Sequence, residues 1–424
     1  MPVLCRESVI LAKASDLQAG TIDQLNQVLR DYGLGSPLRE PEPAAPGAST
    51  PGDNASGLVE LPLDEGVDPI AVRDALRQAG RERREPLPEL SPDFLHSVHT
   101  IHGFDPSGKK GGHVPPHSGH TVQEGGLVAS GKKGGHGTIS WLSALPDMMK
   151  PAQPWQPGRQ PPVVAVLDTG VRSHSWLPGP AGSPPFLIDA AAELSWQPPV
   201  RIPDVPNTWP DQFGTHAGHA TFLAGLIRLA APEARVLSMQ VMSNMGEVSD
   251  QNAVAALTRL GHYVYGGGHV DVVLMAFGRQ ADPGDADLKD LRNAVQRLSA
   301  YQVKIVVSAG NQDSESTVYP AAFAADSDPV LAASVVSVGA RVSPTERAPF
   351  SNYGVWVREW RDGVNVVGIN PVMLEYNSNG ELQQVPGNGF TYWSGNSFAA
   401  ATYAGELAHQ VVTGERVPAH VAGS

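Results

Sequence analysis

The feature that most constrains this fold is the alternation of apolar runs and amphipathic segments that begins near residue 161. The apolar runs have the length of buried strands, and segments with helical periodicity separate several of them. They read PPVVAVL, ARVLSMQVM, HVDVVLMAF, QVKIVVSAG and SVVSVGA. The alternation predicts a three-layer α/β fold, with a mostly parallel central sheet and helices on both faces. Because ligands bind outside the carboxyl ends of such strands, the residues that follow each strand are the functional candidates.

The rest of the chain divides by composition. A strand pattern followed by a helix pattern occurs twice over residues 1–95, which predicts a small N-terminal α+β domain. Residues 96–160 are rich in Gly, His and Pro and are predicted to be a flexible linker, because such tracts bury too little apolar surface to offset backbone ordering. The larger domain is predicted over 161–415, with a C-terminal tail at 416–424.

Charge and cysteine content exclude several classes of function. The net charge of −13 disfavours a general polyanion-binding surface, so we expect no nucleic-acid partner. The single cysteine, Cys5, rules out an internal disulfide. We find no apolar run long enough to span a bilayer and expect no membrane partner. The N-terminus lacks the features of a signal peptide, which favours a cytoplasmic location. Secretion is the alternative if the N-terminus is incomplete or export is non-classical.

Four polar residues stand at strand ends or helix starts of the predicted α/β domain. Asp168 ends the first strand, His219 begins a helical pattern, Asn311 follows a strand, and Ser397 opens a helix of small residues. A serine at a helix N-terminus presents its hydroxyl while its own N–H faces a developing oxyanion, and a nearby amide donates a second bond. Each residue alone also has a purely structural interpretation as a turn or cap residue.

In this order and context, the four residues resemble the motifs of the subtilisin-like serine proteases, or subtilases, over residues 163–412. The matching stretches are VAVLDTGV, GHATFLAG, VVSAGN and SGNSFAAATYAG, with smaller matches at YPAAF, VVSVGA, FSNYG and GVNV. In the family motif the catalytic histidine lies six residues before the glycine of the Ala-Gly pair, here Gly225. The base is therefore His219, and His216 is a residue of the preceding loop.

The resemblance implies a serine endopeptidase with an acyl-enzyme intermediate, and autoprocessing is expected with it. Ser397 would be the nucleophile, His219 the base, Asp168 the group that orients it, and Asn311 an oxyanion donor. Segments 274–279 and 241–248 would bind a polypeptide substrate as added strands. The implied substrate-binding residues are Ala276, Phe277, Gly278, Ser308, Ala309, Gly310 and Gly246. The absence of carboxylates from these strands favours apolar or uncharged side chains at the P1 position of the substrate.

The chain departs from the family pattern next to its reacting groups. Asn396 replaces the usual Thr before the nucleophile, Ala220 replaces Gly after the base, Phe398 stands where Met is common, and Ala401 where Pro is usual. None of these removes a reacting group. They leave open a second interpretation, in which the chain is a catalytically weak or silent subtilisin-like protein with a peptide-binding or regulatory role.

The resemblance also bears on partners and cofactors. The N-terminal domain resembles the propeptides of the family, which makes it an expected intramolecular inhibitor; a permanent recognition domain is the alternative. No cofactor is required and no metal site is assigned. Structural calcium is frequent in the family, but its ligands cannot be located from this sequence. Seven of the 14 histidines lie between His96 and His136. Their spacing fits no closed metal site, which favours a solvated linker.

Overall fold

The structure is a computed structural model that describes residues 5–41, 58–84, 86–97, 140–142, 160–177, 184–199, 202, 216–376 and 382–414. Its helices are α1 (Thr21–Asp31), α2 (Pro69–Arg83), α3 (Ala190–Leu194), α4 (His219–Ala230), α5 (Asp250–Tyr265), α6 (Lys289–Ser299), α7 (Pro329–Ser334) and α8 (Asn396–Thr413). Its strands are β1 (Cys5–Lys13), β2 (Leu58–Pro62), β3 (Ser91–Ser97), β4 (Ser140–Leu142), β5 (Val163–Asp168), β6 (Leu187–Asp189), β7 (Arg235–Gln240), β8 (Glu247–Ser249), β9 (Val272–Met275), β10 (Arg279–Gln280), β11 (Lys304–Ser308), β12 (Val318–Tyr319), β13 (Val335–Ser343), β14 (Glu346–Arg347), β15 (Glu359–Asp362), β16 (Val366–Tyr376) and β17 (Leu382–Trp393).

The N-terminal unit is a small α+β structure with its own core. Strand β1 lies between β2 and β3 and pairs antiparallel with both. Helices α1 and α2 contribute to the same apolar cluster as these strands, with Ile10 and Leu61 contacting side chains such as Leu25 and Leu76. Helix α2 begins where the Asp68 carboxylate accepts a hydrogen bond from the Ile70 amide, followed by a proline at its first position.

The predicted parallel sheet is present. Strands β6, β7, β5, β9, β11 and β13 run parallel in that spatial order, β15 adds a further parallel pair to β13, and β14 pairs antiparallel at the edge. Side chains alternate between two buried faces. Val164 and Val166 pack with α4 and α8, whereas Ala165 and Leu167 pack with α5 and α6. The apolar runs are continuous because both faces of the sheet are covered.

A long hairpin precedes the helix that carries Ser397. Strands β16 and β17 pair antiparallel, and β4 adds a third strand through pairs such as Thr391↔Trp141. Residues 140–142 belong to the predicted flexible linker 96–160, as do His96 and Ser97 at the end of β3. Both short segments are paired, 140–142 with β17 and the end of β3 with β8. Most of the remaining linker, including the histidine-rich stretch, and the predicted tail 416–424 lie outside the described residues.

The N-terminal unit packs against α5 and α6 of the larger unit. Leu11 and Leu58 share an apolar cluster with Val254 and Leu291. Strand β3 pairs antiparallel with β8, with Leu95 opposite Ser249 and Ser97 opposite Glu247. The two units therefore share both an apolar contact and a strand pair.

Within the described residues, no helix is long and apolar enough to cross a membrane.

Candidate active site

Asp168 and His219 form a hydrogen-bonded pair at the carboxyl edge of the sheet. The Nδ1 atom of His219 lies 2.9 and 3.0 Å from the two carboxylate oxygens of Asp168. Both side chains are buried, with exposures of 1% and 0%. Because Nδ1–H donates to the carboxylate, the neutral ring has Nε2 as its acceptor. The pair therefore presents a base whose tautomer is set by Asp168.

Local structure explains why this pair forms. Asp168 is the last residue of β5, and His219 is the first residue of α4. The Ala220 amide donates to the Thr169 hydroxyl over 3.2 Å, and the Arg172 amide donates to the Thr221 hydroxyl over 2.9 Å. These two bonds join the loop after β5 to the first turn of α4. They fix the positions of the Asp168 carboxylate and the His219 imidazole relative to each other.

Aromatic rings enclose the imidazole of His219. The rings of Trp393, Phe398 and His216 lie with their centroids 5.5, 5.6 and 5.5 Å from it. Its Nε2 atom is buried and has no hydrogen-bond partner among the described residues. A buried acceptor without a partner costs free energy, so Nε2 is ready to accept a hydrogen bond from a donor group.

Ser397 lies in the first turn of α8, two residues after Gly395. The side chain is buried, with an exposure of 2%, and its Oγ donates a hydrogen bond to the Ala276 carbonyl over 3.5 Å. The adjacent residue, Phe398, supplies one of the rings around His219. The nucleophile and base candidates therefore lie on contacting elements, but the hydrogen bond between Oγ and Nε2 is not formed. Catalytic hydrogen bonds often tighten only when substrate is bound.

Asn311 lies in the loop that follows β11. Its Oδ1 accepts a hydrogen bond from the Asn396 amide over 2.9 Å. This bond joins the loop to the start of α8, one residue before Ser397. Since Oδ1 is engaged, the amide nitrogen is the end of the side chain that is suited to donate to an oxyanion.

The residues predicted to bind substrate lie around these groups, and they are buried. Ala276 belongs to the apolar cluster on the α8 side of the sheet, whereas Phe277 and Ala309 belong to the cluster on the opposite side. Ser308 ends β11, and a Cβ on Gly278 would lie 2.6 Å from Val318. Gly310 has a φ of +95° and Gly246 a φ of +81°. The two segments predicted to bind substrate are in part engaged, because β10 pairs with β12 and β8 pairs with β3.

Gly246 connects the second predicted substrate segment to the base. A Cβ at this position would lie 2.4 Å from Nδ1 of His216, so only glycine allows this approach. The His216 amide donates to the Asn244 carbonyl over 2.7 Å. His216, predicted as a loop residue, thus packs between the loop that holds Gly246 and the ring of His219.

Two asparagines contact the loop of Asn311: Asn396, which the sequence marks only as a departure from the family pattern, and Asn352, which was not among the predicted site residues. Both are fully buried. The available signals were the Asn that replaces Thr before the nucleophile and the central residue of FSNYG. No group of three or more His, Cys, Asp or Glu side chains that could hold a metal ion occurs in the part of the chain that the structure describes.

Comparisons with known proteins identify the family of the chain. The model of the Subtilase family, Peptidase S8, matches residues 159–412. The chain is 27% identical to the thermophilic serine proteinase of Bacillus sp. (strain AK1) over 251 residues, which are 57% of this chain and 50% of that protein. It is also 27% identical to Subtilisin Savinase of Lederbergia lenta over 232 residues, which are 53% of this chain and 71% of that protein.

Among solved structures, the patellamide maturation protease PatA aligns with a TM-score of 0.40 and 23% identity, over 60% of this chain and 80% of that one. The prenylagaramide maturation protease PagA gives the same TM-score and identity, over 60% of this chain and 78% of its own. This chain spans half the length of the thermophilic serine proteinase. Because the family model covers more than half of its residues, the chain belongs to the Subtilase family of serine peptidases.

Proposed function

We propose that this protein is a serine endopeptidase that hydrolyses polypeptides with Ser397, His219 and Asp168. The observation that carries the proposal is the buried hydrogen bond between Asp168 and Nδ1 of His219, together with an Nε2 atom that has no hydrogen-bond partner among the residues that the structure describes. The large majority of buried side-chain polar atoms in proteins have a hydrogen-bond partner. The imidazole of a general base needs one nitrogen fixed and the other available.

The chemistry follows from the positions of these groups. When substrate binds, Ser397 Oγ exchanges its bond with the Ala276 carbonyl for one with Nε2 and attacks the scissile carbonyl carbon. His219 takes the hydroxyl proton and gives it to the leaving amine as the C–N bond breaks. In the second step His219 deprotonates a water molecule, which attacks the acyl carbon; the bond between that carbon and Ser397 Oγ breaks, and His219 returns the proton to Oγ. The Ser397 N–H and the Asn311 carboxamide stabilise the oxyanion in both steps.

The test compares wild type with Ser397→Ala, the full chain being used in both cases. Wild type should hydrolyse a denatured protein substrate and be labelled by a fluorophosphonate, whose fluoride Ser397 displaces. Ser397→Ala should lower kcat by about 10⁶ and abolish labelling. Intact mass of both proteins locates any self-cleavage. Hydrolysis that persists in Ser397→Ala, or a folded wild type that is never labelled, would contradict the proposal; the latter outcome would favour the silent peptide-binding protein.

The N-terminal unit is proposed to act as the intramolecular inhibitor. Strand β3 pairs with β8 so that the chain runs from Leu95 opposite Ser249 to Ser97 opposite Glu247. It therefore runs toward Gly246, whose loop packs on His216 beside the base. The same edge was predicted to bind substrate. An inhibitor that occupies a substrate-binding edge competes for the same backbone hydrogen bonds.

The inhibitor proposal is tested by comparing two Arg–Asp ion pairs, one between the units and one within the larger unit. Arg73 of α2 contacts Asp287 of the larger unit, whereas Arg292 pairs with Asp326 within the larger unit over 2.7 Å. Arg73→Ala should raise the rate at which a fluorophosphonate labels Ser397, and Arg292→Ala should leave it unchanged. Equal labelling rates for wild type and Arg73→Ala would favour a permanent recognition domain that does not block the site.

A further inference from the structure

Three elements meet at the buried side chain of Asn396. The side chain is fully buried at the start of α8. Its Oδ1 accepts a hydrogen bond from the Ala340 amide of β13 over 2.6 Å, and its Nδ2 donates to the Gly310 carbonyl in the loop after β11. Its backbone amide donates to Oδ1 of Asn311. One residue thus joins the nucleophile helix to strand β13 and to the loop that follows the neighbouring strand β11.

The loop that Asn396 contacts depends on external hydrogen bonds. It turns at Gly310, whose φ of +95° and contact with Asn352 require glycine. The Asn352 side chain donates to the Ala309 carbonyl over 2.9 Å and accepts from the Gln312 amide over 3.0 Å. These bonds fix the loop on one side of Asn311. The bonds from Asn396 fix it on the side that faces Ser397.

We propose that Asn396 is a positioning residue for the oxyanion site, because its side chain sets the distance between the Ser397 amide and the Asn311 carboxamide. The inference rests on the proposed function. Asn396 does not contact the reacting atoms through its side chain, and it acts through Asn311. The Thr that is usual at this position offers a single oxygen as both donor and acceptor, whereas the carboxamide of Asn396 uses two separate atoms, Oδ1 for the Ala340 amide and Nδ2 for the Gly310 carbonyl.

The first test measures kcat and KM for Asn396→Ala and Asn396→Thr. Removal of one oxyanion donor costs about 10²- to 10³-fold in kcat, so displacement of that donor should cost about 10- to 100-fold while KM stays near the wild-type value. Both variants retain the backbone bond to Asn311, and the Thr variant fills more of the vacated space. A kcat equal to that of wild type in a folded Asn396→Thr protein would overturn the inference.

A double-mutant cycle separates positioning from a general loss of stability. If Asn396 acts through Asn311, then Asn396→Ala should lower kcat by less than about threefold in an Asn311→Ala background. Losses that multiply independently would overturn the inference. The control is Ser337→Ala in β13, since that buried hydroxyl also makes two bonds, to the Trp356 carbonyl and from the Arg358 amide. It should lower the melting temperature and leave kcat unchanged.

The rate of fluorophosphonate labelling gives the same comparison without turnover, because the phosphonyl oxygen also uses the oxyanion donors. Labelling of Asn396→Ala should be slower than that of wild type, and labelling of Ser337→Ala should not. Wild type that is neither labelled nor active would contradict the proposed function and the inference with it. An active wild type with an Asn396→Ala variant of the same labelling rate and kcat would overturn the inference alone.

Discussion

Two fully buried carboxylates, Asp168 and Asp93, differ in where their partners come from. Asp168 accepts hydrogen bonds from the Thr169 amide and the His219 ring, both in the larger unit. Asp93 lies in β3 and accepts from Arg6 of the N-terminal unit over 3.0 Å and from the Gln251 amide of α5 over 3.1 Å. The Asp168 pair can be broken only within one unit, whereas the bond from Gln251 is lost whenever the two units separate.

The contact between the units contains charges on both sides. Asp287 of the larger unit contacts Arg73 and Arg77 of α2, with an Arg77 distance of 2.7 Å. The guanidinium of Arg279 lies 4.3 Å from the ring centroid of Phe94. A contact that contains charged groups is more polar than the sheet core, and we expect it to separate without unfolding of either unit. The Asp168–His219 pair lies within one unit and should stay formed when the units separate.

The largest expected effect concerns the Asp168–His219 pair. His219→Ala should lower kcat by about 10⁶-fold, because both the base and the acid of the reaction are lost. Hydrolysis of a peptide substrate by the purified full chain measures it. The control is His409→Ala, since His409 lies near the C-terminal end of α8 at a partly exposed position, where it pairs with Glu233. A similar loss in both variants would place the effect in stability rather than catalysis.

The next effect concerns the contact between the N-terminal unit and the larger unit. Asp287→Ala removes the buried carboxylate that Arg73 and Arg77 share and leaves them only Asp74 and Glu89 as counter-ions. Loss of one partner of a buried hydrogen bond costs about 1–3 kcal/mol. The N-terminal unit should dissociate more often, which should raise amide exchange in β8 and the labelling rate of Ser397. The matched variant is Asp326→Ala, whose partner Arg292 belongs to the same unit. If amide exchange at β8 is the same in Asp287→Ala as in wild type, the N-terminal unit does not separate from the larger unit as expected.

Acidity should strengthen the contact rather than weaken it. Burial raises the pKa of Asp93 to about 6, although Arg6 and the Gln251 amide oppose the shift and Asp250 adds to it. Burial also raises the pKa of Asp287, against the attraction of Arg73 and Arg77. A carboxyl group whose pKa is raised in the docked state binds its proton more tightly there. The stabilisation that it contributes is therefore present at low pH and is lost as the pH rises toward 6.

The size of this pH effect follows from the shift at Asp93. A pKa about two units above that of a free carboxyl group corresponds to about 3 kcal/mol between pH 4 and pH 6. Amide exchange at Gln251 and β8, corrected for the intrinsic pH dependence, should show stronger protection at the lower pH. Asp93→Asn should flatten this dependence, because the amide accepts from Gln251 without titrating. Protection that increases with pH in wild type would contradict the assignment.

The smallest expected effect is at the rim of the contact. Lys289 pairs with Glu89 over 3.1 Å, and both side chains are largely exposed. Exposed pairs contribute about 0–1 kcal/mol, so Lys289→Ala should change exchange at β8 by less than about fivefold, and added salt should reduce the difference further. A loss as large as that of Asp287→Ala would mean that the contact depends on its rim rather than on its buried carboxylates.

Much of the fold and the identity of the site residues could be predicted from local patterns. A run such as VVAVLD specifies a strand buried on both faces, and an aspartate at its end is carried to the carboxyl edge of the sheet. The small residues around Ser397 specify a helix that can approach the sheet closely. These predictions depend on periodicity and on neighbours within a few residues, which are visible in one sequence.

The remaining features depend on contacts between residues far apart in the chain. The Asp93 carboxylate and the Gln251 amide are separated by 158 positions, and the Asn396 amide and Asn311 by 85. No local pattern indicates that β3 adds to β8, that Ser397 is bonded to Ala276 rather than to His219, or that an asparagine in place of threonine joins α8 to β13 and to the loop after β11. Sequence alone therefore determined which chemical groups the protein carries and on which elements. Only the tertiary structure decided which of them touch, because each of these hydrogen bonds requires two distant segments to be buried together.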